Sequence, residues 1–139
     1  MKFTCTKTNF NNGINIALKA VPGKTTMPIL ECVVIEAKGD MVKLTTNDMQ
    51  LGIETKIPAE IEQDGIILVN AKMISEIVRR LPDDDVNFEV DENNNILLFC
   101  GKSKFNIPGI PHDEFPMLPK IEADKTIHIS QFTLKEMIR

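Results

Sequence analysis

Apolar and polar positions alternate in short blocks along this chain, and the blocks recur. Phe3 and Cys5 alternate with polar neighbours, as in a half-buried strand. Thr8 or Asn9 then stands where a helix cap is expected, ahead of an apolar face of Phe10, Ile14, Ala17, Leu18 and Val21. Gly13 weakens that helix by ~1 kcal/mol relative to alanine, and Pro22-Gly23 ends it. Strands are expected at 32–37, 42–46 and 51–57, with a turn at Lys38-Gly39-Asp40 and a break at Pro58.

The plan starts again at Gly65. Residues 65–70 read as a strand, Asn70 as a cap, and 71–81 as a helix burying Ile74, Ile77, Val78 and Leu81. Strands follow at 86–90, 96–100 and 102–107, and the Pro-rich loop "IPGIPHDEFPMLP" closes the unit. A third start reads "TIHIS" as strand, Ser130 as cap and 131–139 as the first turns of a helix. The expected caps are 62 and 60 residues apart. A unit of strand, helix and three strands, used twice and begun again, is too long for a solenoid repeat. It suits an α+β domain in which an antiparallel sheet carries two helices on one face. A final helix of some eight residues is not stable alone in water, so the chain reads as part of something longer.

The chain has 139 residues, 42% of them hydrophobic, enough for one domain with a core. No run of 18 apolar residues can span a membrane, and "MKFTCTK" lacks the apolar stretch of a signal peptide. Cys5, Cys32 and Cys100 sit apart in apolar runs, which reads as buried thiols in a cytoplasmic protein. The net charge of −4 argues against indiscriminate nucleic-acid binding, but its distribution is uneven. Lys2, Lys7, Lys19 and Lys24 precede the first acid, Glu31, whereas acids gather in "PAEIEQDG" and "LPDDDVNFEVDENNN".

Few residues offer catalytic chemistry. His112, Asp113 and Glu114 are adjacent, but a zinc site needs further ligands at suitable spacing, and His128 alone does not supply them. No Gly-rich phosphate loop and no G-x-S-x-G occurs. Neither a metal, a cofactor nor a catalytic residue is therefore assigned. With no Trp or Tyr, a stacking surface for single strands is not expected either. The stretch "CGKSKFNI" is more informative. If extended, it places Lys102 and Lys104 on one side and Phe105 and Ile107 on the other. That is the pattern of a guarded sheet edge, or of one half of a joint with another chain.

"MKFT" at the start, "MPIL" at 27–30, "LTTNDMQLGIET" at 44–55, "AKMISEIVRRLP" at 71–82 and "GKSKFNIPGIPHDEFPMLP" at 101–119 follow one another in an order that resembles a known family. It is the bacterial sliding clamp, the beta subunit of DNA polymerase III, and the likeness is to its amino-terminal domain. The resemblance implies a DNA-clamp fold over residues 1–120, a linker at 121–125, and at 126–139 the opening of a second domain. In that family three such domains per chain and two chains per ring enclose duplex DNA, with helices lining the hole. The ring has no bond chemistry; it is a processivity factor that tethers the polymerase. Lys24 and Lys72 match positions where basic residues touch DNA, with Lys19 and Arg79 nearby as further candidates. Arginine is common at the first two, and lysine keeps the charge while losing bidentate geometry. The resemblance places Lys102, Lys104, Phe105 and Ile107 at the dimer interface, with Ile74 and Ile77 as support. It also implies DNA polymerase III and a clamp loader as partners, through a pocket whose residues this chain does not include. The alternative is a non-catalytic protein-interaction scaffold with no DNA role.

Overall fold

The structure, a computed structural model, describes residues 1–119 and 126–138. The expected linker at 121–125 lies outside the described residues. The chain opens with β1 (Lys2–Thr6) and passes directly into α1 (Lys7–Ala17). Thr6, not Thr8 or Asn9, caps this helix: its Oγ1 accepts a hydrogen bond from Asn9 N at 3.1 Å. The helix therefore begins two residues earlier than its polar start suggested, and the spacing to the Asn70 cap is 64 residues. A short 3-10 turn, Leu18–Ala20, follows it. Then come β2 (Cys32–Lys38), β3 (Met41–Asn47), β4 (Gly52–Pro58) and β5 (Glu60–Gln63). β5 lies in the acidic stretch where no strand was expected, because only Ile61 in its four residues is apolar. Short, charged strands of this kind are usual at sheet edges.

The second repeat consists of β6 (Gly65–Asn70), α2 (Ala71–Arg79), β7 (Asp85–Val90), β8 (Asn95–Cys100) and β9 (Ser103–Pro108). Asn70 caps α2 by accepting from Met73 N at 3.0 Å. The strands form two antiparallel sheets, β5-β1-β7-β8-β9 and β4-β3-β2-β6, rather than the single sheet expected. The reason is an exchange: β1 pairs with β7 of the second repeat, and β6 pairs with β2 of the first. The four-stranded sheet thus takes β2, β3 and β4 from the first repeat and β6 from the second, and the five-stranded sheet takes β7, β8 and β9 from the second with β1 and β5 from the first. Pattern along a sequence reports which residues are extended but not which strands pair, so this was not visible.

One core joins both sheets and both helices. Phe3, Phe10 and Phe88, from β1, α1 and β7, meet with ring centroids 4.8–6.2 Å apart and are all essentially buried. Each contributes about 1.5–3 kcal/mol by burial, and the ring pairs add about 0.5–1.5 kcal/mol. β2 is buried on both faces: Val33 and Ile35 enter the main core, while Cys32 and Val34 pack with Leu68 under Phe115. The segment carrying Phe115 acts as a strap. Ile110 bridges to Leu68 with two 2.9 Å backbone hydrogen bonds, and Asn47 Nδ2 donates to Pro116 O at 2.9 Å. Gly52 has no side chain where Leu118 seats. "TIHIS" is irregular rather than a strand, having no strand to pair with among the described residues. α3 (Gln131–Ile138) is capped by Ser130, whose Oγ accepts from Thr133 N at 3.1 Å, and leaves Phe132, Met137 and Ile138 exposed.

Gly13 now has a packing reason. A Cβ there would stand 2.8 Å from Ile57 Cγ2 and 2.9 Å from Leu44 Cδ1, both on buried side chains. Helix propensity alone says Gly13→Ala should stabilise by ~1 kcal/mol, whereas overpacking costs about 1–3 kcal/mol. The net expectation is a loss of about 1 kcal/mol, read as a lower urea midpoint at unchanged slope. A raised midpoint would show that α1 lifts away from β3 and β4 at little cost.

Candidate functional site

α1 and α2 pack against one another and bury Phe10, Gly13, Ile14 and Ala17 from the first and Ala71, Ile74, Ser75 and Val78 from the second. What remains outward is Thr8, Asn12, Asn15 and Ile16 on α1, and Lys72, Met73, Glu76 and Arg79 on α2, with Arg80 exposed at its C-terminal cap. Lys19 is exposed in the 3-10 turn that continues α1, and Lys24 is exposed in the loop beyond it. That loop is braced where Thr25 Oγ1 accepts from Met27 N at 3.0 Å. Neither helix has an acid in its first turn.

Cations elsewhere are treated differently. On the sheets, Lys2 lies 3.5 Å from Glu62 and 3.2 Å from Glu89, which raise its pKa, first through the Glu89 hydrogen bond. Lys43 lies between Glu36 and Glu54 at 3.5 and 3.8 Å. Among the described residues, no ion pair involves Lys19, Lys24, Lys72, Arg79 or Arg80. Lys2 and Lys43 are thus matched on the sheets, whereas Lys38, Lys56 and Lys104, like the helix-side cations, are in no ion pair among the described residues and stay available to an external anion. Such an arrangement can attract a phosphate backbone electrostatically and offers no fixed hydrogen-bonding geometry for reading bases.

The expected joining edge is partly revised. β9 is an edge strand, paired only with β8. Lys102 lies in the turn before it and Lys104 within it; both are exposed. Lys104 Nζ stands 5.4 Å over the ring of Phe99, its neighbour on β8. Phe105 and Ile77 are half-buried at the margin of the core. Ile107 and Ile74, in contrast, are 1% and 0% exposed. They hold this domain together and present no surface to another chain, because the inward positions of β9 and α2 are filled by their own sheet and helix. Phe99 was missed. The unbroken apolar run at 96–100 was its signal, since a strand with one wet face does not carry five such residues in succession.

Chemistry of the other candidates is sparse. His112 Nε2 lies 3.8 Å from Asp113 Oδ1 in a 3-10 turn (His112–Glu114), and no group of three His, Cys, Asp or Glu residues able to hold a metal comes together among the described residues. The three thiols are free and buried. No helix among the described residues is long and apolar enough to cross a membrane.

The description "DNA polymerase III beta subunit, N-terminal domain" matches residues 1–119 of this sequence. The chain belongs to that family. A beta sliding clamp of Bacillus subtilis (strain 168) is 40% identical over 147 aligned residues, covering 100% of this chain and 39% of the relative. A putative DNA polymerase III beta subunit from Eubacterium rectale superposes with a TM-score of 0.94 at 51% identity, over 99% of this chain and 38% of that one. The Bacillus subtilis clamp structure gives 0.95 at 38% identity, with the same coverage. The chain thus spans about two fifths of the length of these beta subunits, and its α+β fold is that of clamp domains.

Within this beta-subunit domain the thiols are protected by their packing. Burial, followed by Asp85 and Cys100, pushes the Cys5 thiol from 9.0 up to about 12. A raised thiol pKa stabilises the fold below the unfolded value, and that contribution disappears as pH rises from 9 towards 12. We expect a disulfide reagent at pH 8 to label Cys5 only at the unfolding rate, with urea releasing all three thiols. Stability should decline through the same alkaline window in the wild type and less steeply in Cys5→Ala. Rapid labelling of Cys5 in the native protein would mean that β1 opens locally.

Proposed function

We propose that this chain is the first clamp domain of a DNA replication processivity factor. In a protein of its relatives' length, three such domains per protomer and two protomers per ring would enclose duplex DNA and tether the replicative polymerase. Residues 1–120 would form that domain, 121–125 the linker and 126–139 the opening of the next; α3, with its uncovered apolar side chains, suits an element that packs into a following domain. The observation that carries the reading is the set of exposed cations on and beside the two helices, Lys19, Lys24, Lys72, Arg79 and Arg80, none of which is in an ion pair among the described residues. A ring must hold DNA topologically and still slide, which calls for weak, sequence-blind phosphate attraction. The domain would act without catalysis, as an accessory subunit, with DNA polymerase III and its clamp loader as partners.

Lys24 and Lys72 would contact phosphates, with Lys19 and Arg79 adding to the local potential. In the longer protein, Lys24→Glu with Lys72→Glu should impair loading and processive synthesis while the dimer sediments normally. Each lost contact should lower the salt slope of DNA binding by about 1. Unchanged primer extension on long templates would remove both residues from the DNA contact. The 139-residue chain itself should bind linear duplex weakly, since nothing closes around it. If the full protein, once on circular DNA, stayed bound after the circle is cut, the sliding-ring reading would give way to the scaffold alternative.

At the joint, β9 would pair with an edge strand of a second protomer. Phe105 supplies the apolar contact, with Ile77 beside it in place of the buried Ile107 and Ile74. Lys102 and Lys104 would set register against acids of the partner. Burying a phenylalanine is worth about 1.5–3 kcal/mol, whereas exposed ion pairs give about 0–1 kcal/mol each. Sedimentation of full-length Phe105→Ala should therefore show far more dissociation than Lys102→Ala/Lys104→Ala. An intact dimer in the first variant would move the interface to another strand.

A further inference from the structure

Asn12 and Gly13 form the single Asn-Gly pair in the sequence. Asn12 is exposed on α1, and its side-chain amide takes part in no hydrogen bond among the described residues. Gly13 is imposed by packing, because Ile57 Cγ2 and Leu44 Cδ1 leave no room for a Cβ. The core therefore sets, next to a free asparagine amide, the one residue type with no side chain to screen its backbone nitrogen.

While α1 is formed, the fold holds this pair unreactive. The Gly13 N–H is engaged in the helix ladder, and ring closure onto Asn12 Cγ requires Asn12 to leave helical backbone angles. What keeps α1 formed is the burial of Phe10, Ile14 and Ala17 rather than the helix itself. Thr8, Asn9, Asn11, Asn12, Gly13 and Asn15 are all poor helix formers. No acid in the first turn and no base in the last turn complements the helix dipole. Once parted from the sheets, this segment has little to keep it helical.

We propose that Asn12 is a modification site, a succinimide-forming asparagine that the fold keeps latent and that opening of α1 releases. The Gly13 amide nitrogen loses its proton and attacks Asn12 Cγ. The new C–N bond replaces the bond to Nδ2, which leaves as ammonia. Water then opens the five-membered ring at either carbonyl. Attack at Cγ gives aspartate; attack at the backbone carbonyl gives isoaspartate, whose main chain runs through Cβ and Cγ. The two products have different fates. Aspartate keeps the backbone, so α1 re-forms with a carboxylate in place of an amide on its exposed side. Isoaspartate adds one main-chain atom ahead of Gly13, which displaces that residue from its place against Ile57 and Leu44. Either product puts a negative charge on the helix face that continues through Asn15 to Lys19. That charge weakens phosphate attraction, a consequence that rests on the proposed function; the conversion itself does not.

The test is a timed incubation of the 139-residue chain at pH 8, in native buffer and in urea, with mass spectrometry of the tryptic peptide 8–19. In urea, conversion at Asn12 should outpace that at every other asparagine. Gly13→Ala, whose packing defect is irrelevant in urea, should slow it severalfold. In native buffer the conversion should be slower than in urea by at least about a hundredfold. After removal of urea, the aspartyl chains, like Asn12→Asp, should recover a near-wild-type urea midpoint. The isoaspartyl chains, resolved by chromatography, should not. Equal rates in native buffer and urea, faster conversion elsewhere, or full refolding of the isoaspartyl chains overturns the proposal. In a protein of the relatives' length, Asn12→Asp should weaken duplex binding about twofold. No change there while Lys24→Glu/Lys72→Glu loses binding overturns the charge effect; no change in either means that the DNA reading has failed and leaves the modification standing.

Discussion

Phe3 of β1 lies with its ring centroid 4.8 Å from that of Phe88 on β7, so the first strand is buried against the second repeat rather than its own. β6 does the converse by pairing with β2. These two exchanges place both helices over a shared core and leave no half of the molecule that can bury its apolar face alone. The repeats are therefore similar in plan but not separable in energy. Everything on the surface, including the helix-side cations and the β9 edge, is held by that shared interior.

Element types were largely legible from the sequence, because periodicity reports the exposure of side chains. The helix at 71–79, the strands at 65–70 and 103–108, and the cap at Asn70 follow from apolar spacing and a single side-chain oxygen. Three features were not legible, for separate reasons. β5 carries too few apolar residues to show an alternation. The division into two sheets depends on pairing partners far apart in sequence. Ile74 and Ile107 read as interface residues because a buried position and a joining position both demand an aliphatic side chain. For the charged residues the sequence showed where cations lie, but only the structure distinguishes Lys2 and Lys43, which have acidic partners, from Lys24 and Lys72.

That distinction gives a net-acidic domain a surface with an attractive side. Of the lysines on the sheets, Lys2 and Lys43 are matched by glutamates on neighbouring strands, while Lys104 is steadied by an aromatic ring. On α2 Glu76 stands beside Lys72 and Arg79, and Asp83–Asp85 follow in the turn beyond Arg80. Interactions of this kind are screened beyond about 8 Å at physiological ionic strength, so they act on a ligand that comes close and do little at a distance.

The exchange of leading strands also has a consequence in time. Thr4 of β1 hydrogen-bonds to Asn87, 83 residues later in the chain. At roughly 5–20 residues per second of synthesis, β1 waits about 4–17 s for β7, its partner in the second repeat, to exist. During that interval Phe3 and Cys5 lack the β7 side of their core, while the inner face of α1 can already meet β3 and β4. Until β7 arrives, β1 has β5 alone to pair with.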